Sequence, residues 1–169
     1  MSVITIIRSS RHLLVALMML AAPFIATGNE TSSDGQDSHI YKGAYTYSSS
    51  ILYTWDGKHL YSGSYPYSSK IILTWDGRHI YKGAYTYSSN ILCTWDGKHL
   101  YRGQYAYSSD IICTWDGEHI YSGRYTYSSD ILYTYDYKHI YNGPYPYSSN
   151  ILFTVDSPVP IPVIMSLLL

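Results

Sequence analysis

The histidines of this chain are evenly spaced. His39, His59, His79, His99, His119 and His139 follow one another every 20 residues, and the same words recur around each. The unit reads H-[IL]-Y-x-G-x-Y-x-Y-S-S-x-I-[IL]-x-T-[WY]-D-G-x, and its sixth copy ends early, near Asp156. Such a short period constrains the fold strongly. One unit cannot bury a core by itself, so its apolar side chains must be covered by neighbouring copies.

Within a unit, "ILYTW" is a β-rich run, "DG" follows, and "KHLYSG" is a second run. Two strand-like segments around Asp-Gly predict a hairpin, because Gly accepts the positive φ of the tight turn. Ile51–Trp55 should therefore pair with Lys58–Gly63 through Asp56-Gly57. The intervening "YxYSS" carries Pro66 and Pro146 at one repeat position, with Pro144 two residues before Pro146. Proline cannot donate to a ladder, so this stretch reads as a wider return loop. No helical period interrupts residues 39–156. The prediction is an all-β array of tandem β-hairpin repeats forming an elongated, twisted antiparallel meander. Twelve strands make an open sheet long enough to favour curling. A single-coil parallel β-solenoid is the alternative, and a propeller would have too few blades. The last copies degrade: Tyr135 and then Val155 replace Trp, and Tyr137 and then Ser157 replace Gly, as expected of capping units.

There are 22 tyrosines against two phenylalanines. Tyr has an apolar body and a polar tip, which suits half-wet surfaces. Net charge is -1, which gives no electrostatic case for nucleic acid.

"YTWDGKHLYSG" resembles the MORN repeat, a β-hairpin unit with a Y-x-G start and a D-G end. Tyr41-x-Gly43 and its five later equivalents match the first element; Asp56-Gly57, Asp76-Gly77, Asp96-Gly97 and Asp116-Gly117 match the second. The unit here is shorter and has Ile-Leu or Ile-Ile where that family opens its second strand with G-x-G. The resemblance implies a hairpin architecture and a scaffold that binds partners or lipid rather than a catalyst.

The His column could suggest a metal ladder. In a meander, equivalent residues lie about 10 Å apart, twice the strand spacing. Zinc needs its ligands within about 2 Å of one ion, so the expectation is no metal site and no cofactor, with His at a strand start or against an aromatic ring. Ser, His and Asp occur in all six copies, yet no copy carries a unique nucleophile, so no enzyme is expected. The candidate binding residues are the aromatic columns Tyr61, Tyr81, Tyr101 and Tyr121, and Trp55, Trp75, Trp95 and Trp115. They offer rings at regular intervals to a glycan, a cell-wall polymer or a protein partner. The competing expectation is that these rings pack the sheet, leaving the "YxYSS" loops as the exposed set. Cys93 and Cys113 share a repeat position with Tyr53, Leu73, Tyr133 and Phe153, which predicts an inward-facing site. They would be too far apart for a disulfide in the meander and within reach in the solenoid.

Residues 1–28 read as an export signal: Arg8 and Arg11 precede an apolar run shorter than a membrane span, and Gly28 marks a small-residue cleavage point, with an uncleaved N-terminal anchor as the alternative. Residues 29–38 form a polar linker. Residues 157–169 form an apolar, Pro-rich tail, open to membrane or partner contact. The expected protein is an exported structural or adhesive scaffold (periplasm, cell surface or secreted) with a Tyr/Trp-rich surface. A carbohydrate- or wall-binding module is the alternative, and a lipid-associated scaffold a further one.

Overall fold

The computed structural model describes residues 37–169. The expected signal segment 1–28, and residues 29–36 of the linker, lie outside the described residues. The strands are β1 (Ser38–Lys42), β2 (Ile51–Trp55), β3 (His59–Ser62), β4 (Ile71–Trp75), β5 (His79–Lys82), β6 (Ile91–Trp95), β7 (His99–Arg102), β8 (Ile111–Trp115), β9 (His119–Ser122), β10 (Ile131–Tyr135), β11 (His139–Asn142) and β12 (Ile151–Val155). One helix, α1 (Ile161–Leu168), follows.

Each Asp-Gly turn joins a hairpin as the sequence predicts, with Trp55 opposite Leu60 and Tyr53 opposite Ser62 in the first. The open meander is overturned: β1 pairs with β12, and the twelve antiparallel strands form a closed barrel. The parallel solenoid is overturned too, since every turn reverses the chain. Closure satisfies the two edges that a meander would leave unpaired, and twist brings them together. The seam repeats the geometry of an ordinary hairpin. Ile40 lies opposite Val155 and Lys42 opposite Phe153, as Leu60 lies opposite Trp55 and Ser62 opposite Tyr53. The sixth hairpin is thus cut within its turn, and its two halves are the ends of the array.

Alternation along the strands sorts the side chains. Ile40, Leu60, Ile80, Leu100, Ile120 and Ile140 are fully buried and form one cluster with Trp55, Trp75, Tyr135, Val155, Cys93 and Cys113. Both cysteines are free thiols in the barrel interior. The same cluster includes Val163, Ile164 and Met165 of α1. Pro162 to Met165 are buried at four successive positions, so the helix is enclosed on all sides. It runs inside the barrel, where the Tyr133 hydroxyl meets the Leu168 carbonyl at 3.3 Å. Twelve strands leave a lumen too wide for wall side chains alone to fill, and the apolar tail supplies the missing core.

Thr54 lies between lumen-facing Tyr53 and Trp55, so it faces outward, yet it is fully covered. Its hydroxyl donates to the Gly63 carbonyl at 2.7 Å, and the bond recurs in all six units, up to Thr154 with Gly43. Gly63 has φ +85°, a left-handed conformation that swings the chain outward and back over the wall. The wide loops therefore lie against the outside of the barrel. Thr46, at the tip of the first, lines a hollow with Lys138, Asp156 and Pro158 from the turn rim.

Candidate functional site

The outer surface carries two sets of side chains, each repeated six times. The first is a clasp at each of the five tight turns and at the seam. Asp56 Oδ1 accepts the backbone N–H of Lys58 and of His59, at 2.8 and 2.6 Å. Its Oδ2 accepts the Tyr61 hydroxyl at 2.6 Å and faces His59 Nδ1 at 3.0 Å. Across the six copies the His Nδ1 to carboxylate distance is 3.0–3.6 Å. The His ring also lies against the Tyr ring, with centroids 6.0 Å apart for His59 and Tyr61.

Burial works against ionisation of Asp56, but the Tyr61 hydroxyl and the backbone N–H groups of His59 and Lys58 outweigh it and hold the carboxyl below its usual range. In Asp96 the same contest, burial against the His99 N–H and the Tyr101 hydroxyl, ends at about 2. The tyrosines shift the other way. Burial, the bond to Asp56 and its charge push Tyr61 up to about 12; for Tyr101 the bond to Asp96 leads, followed by burial. The clasp therefore combines an ionised carboxylate with a neutral phenol. Five such clasps serve the tight turns and a sixth serves the seam between Asp156 and His39; among the described residues no group of three or more His, Cys, Asp or Glu is placed to hold a metal ion.

This accounts for four of the candidate binding residues. Tyr61, Tyr81, Tyr101 and Tyr121 are only 6–7% exposed, and their hydroxyls donate to Asp56, Asp76, Asp96 and Asp116. The other four line the lumen: Trp55 and Trp75 are buried, and Trp95 and Trp115 are half-buried against the same core. The structure brings neither column to the surface as a strip.

The second set is in the wide loops. Tyr45 and Tyr47, and their equivalents through Tyr145 and Tyr147, are 57–66% exposed. Tyr47 has extended backbone (φ -81°, ψ 139°), followed by one tight turn at Ser48–Ser50. Extended backbone sends residues i and i+2 to the same side, so the two rings of each loop meet, with centroids 5.6–5.9 Å apart in all six. The barrel thus wears a belt of six tyrosine pairs. The sequence signal for them was the Pro tolerance of "YxYSS", which already set this stretch apart from the ladder.

A family model described as "6-fold beta flower protein" matches residues 40–164. The six units, the ring and the outward loops agree with that description, and the match supports a hairpin repeat but not the MORN identity. No curated protein and no solved structure matches the chain significantly.

Proposed function

The chain belongs to the 6-fold beta flower protein family, and we propose that it is an exported, non-catalytic scaffold whose six loops act together as a multivalent binding surface. The ligand class that suits this surface best is a polymer with alternating polar and apolar faces: a glycan or cell-wall polymer. One observation carries the reading. Two tyrosines in every loop stand more than half exposed, although the same chain buries the six tyrosines clasped to its carboxylates. An exposed phenol offers an apolar face for a sugar ring and a hydroxyl for its polar edge. Six copies on one rigid body convert weak single contacts into avidity, provided that one polymer can reach several loops. The absence of a unique nucleophile among repeated units supports a non-catalytic role, and the N-terminal segment supports export.

The test is a pull-down on insoluble glycans and wall preparations with the chain lacking residues 1–28. Loop variants carry Tyr→Ser at both positions of two, four or all six loops. Binding should fall stepwise with the number of altered loops. No binding by the unaltered chain, or equal binding by the folded six-loop variant, would end this reading.

A further inference from the structure

Eighteen of the 22 tyrosines fall into two chemical classes. The six of the clasps are buried and tied to a carboxylate, whereas the twelve of the loops are exposed and paired with each other. We propose that each Tyr-x-Tyr loop is a site of oxidative tyrosine coupling within the chain, closing into a dityrosine when a peroxidase-type oxidant and hydrogen peroxide are present.

The geometry is the same in every loop. The ring centroids lie 5.6–5.9 Å apart and the planes are inclined by 20–38°, within the range of aromatic rings in contact. Among the described residues, the aromatic contacts of these exposed rings are with the partner in the same loop. Each loop is also held from both sides. Its glycine carbonyl is bonded to a wall threonine at 2.6–2.8 Å. Just past the pair, the Lys70 N–H donates to the Tyr67 carbonyl at 2.7 Å, and the Asn90 N–H to that of Tyr87 at 2.8 Å. In the two loops with a central proline, the second tyrosine N–H also donates to the first tyrosine carbonyl at 2.9 Å. The partner ring is thus already in place when the first is oxidised, which replaces an encounter between molecules with a local step.

The step balances as follows. Each phenol gives up one electron and one proton, leaving two tyrosyl radicals. The radicals join through their ortho carbons, and each displaced ortho hydrogen moves to its own oxygen, restoring two phenols on a new carbon–carbon bond. Hydrogen peroxide takes up the two electrons and two protons and leaves as two waters. The clasp tyrosines are buried and lie against a His ring rather than a second phenol, so they stay unmodified. Tyr137 also meets a second phenol, Tyr135, with centroids 5.4 Å apart, but Tyr135 is buried in the lumen, away from the oxidant.

The experiment treats the full chain with a haem peroxidase and limiting hydrogen peroxide. Dityrosine is followed by its fluorescence, and crosslinks are mapped by mass spectrometry. The expected product is a monomer lighter by two hydrogens per coupled loop, with both crosslinked tyrosines from one loop, as Tyr45 with Tyr47. Yield per chain should be unchanged on roughly tenfold dilution, as for an intramolecular step. A variant with Tyr47→Phe, Tyr67→Phe, Tyr87→Phe, Tyr107→Phe, Tyr127→Phe and Tyr147→Phe keeps the paired rings but leaves one phenol per loop, and its intrachain product should vanish. Crosslinks between chains or between different loops, or a yield that falls with dilution, would overturn the proposal. The wild-type map and dilution series decide the matter even where the variant does not fold.

Discussion

The Tyr41 hydroxyl donates to Asp156 Oδ2 at 2.9 Å, although 115 residues of chain separate them. The same carboxylate takes the His39 backbone N–H at 2.7 Å and faces His39 Nδ1 at 3.0 Å. These contacts reproduce the clasp of a tight turn where there is no turn. They make Asp156 the latch of the ring.

Removal of that latch should be felt more than removal of an ordinary clasp. Asp96→Ala strips hydrogen bonds from a turn that the backbone still closes and should cost about 1.5–3 kcal/mol, the range for bonds to a charged group. Asp156→Ala strips them from a joint with no covalent turn and should cost more. It should also speed amide exchange in β1 and β12 selectively. Urea melts and hydrogen exchange measure both.

Stability should fall at both extremes of pH. The turn carboxylates are held below their normal range, so their contribution is full above about pH 4 and is lost as pH drops through the folded values, about 2 for Asp96. The clasped tyrosines are held up at about 12, so their contribution is full below about pH 10 and is lost as pH climbs through 12. Thermal melts between these limits should show a broad plateau, with losses below pH 4 and above pH 10.

Backbone conformation makes one turn position respond differently in two units. Gly97 has φ +100° and open space where a Cβ would go, so Gly97→Ala should cost about 1–2 kcal/mol from strain alone. Tyr137 already sits at φ +70° in the equivalent position. Its ring rests against Tyr135 with centroids 5.4 Å apart, and its hydroxyl reaches the Gly117 carbonyl at 3.2 Å. Tyr137→Gly exchanges strain for those contacts and should change stability by less than about 1 kcal/mol. Denaturant midpoints separate the two cases.

The enclosed helix should behave as core. Met165 is fully buried, and Met165→Ala should cost about 2–5 kcal/mol because the lumen cannot collapse onto the gap. Removal of residues 161–169 should lower the denaturation midpoint further and allow an environment-sensitive apolar dye to enter the barrel.

The thiols should be slow to react in the folded chain. Burial pushes Cys93 up to about 11, eased somewhat by the Arg102 charge, and pushes Cys113 up to about 12. An alkylating reagent at neutral pH should modify neither until denaturant is added.

Much of the hairpin was legible in the sequence, because Asp-Gly and the proline position report on local backbone. Closure was harder to see, since it depends on twist accumulated over twelve strands. Even so, a trace of it stood in the text: the array begins at a His without its Asp and ends at an Asp without its His. The Tyr61 column and the Trp55 column looked equally available, because periodicity marks which residues are equivalent without revealing which wall or loop covers them. Tyr61 proved to be a ligand of its own turn, and Trp55 part of the lumen. The tail read as an apolar strip without a partner, and only the width of a closed barrel gives it one.

The cut within the sixth turn has a further consequence. The order of strands around the ring does not depend on where the polypeptide starts, so a circular permutant beginning at His59 and ending at Asp56, with the old ends joined, would meet the same neighbours in the same register. What breaks the equivalence of the six starting points is the inserted helix, which can enter the lumen only from the strand to which it is attached.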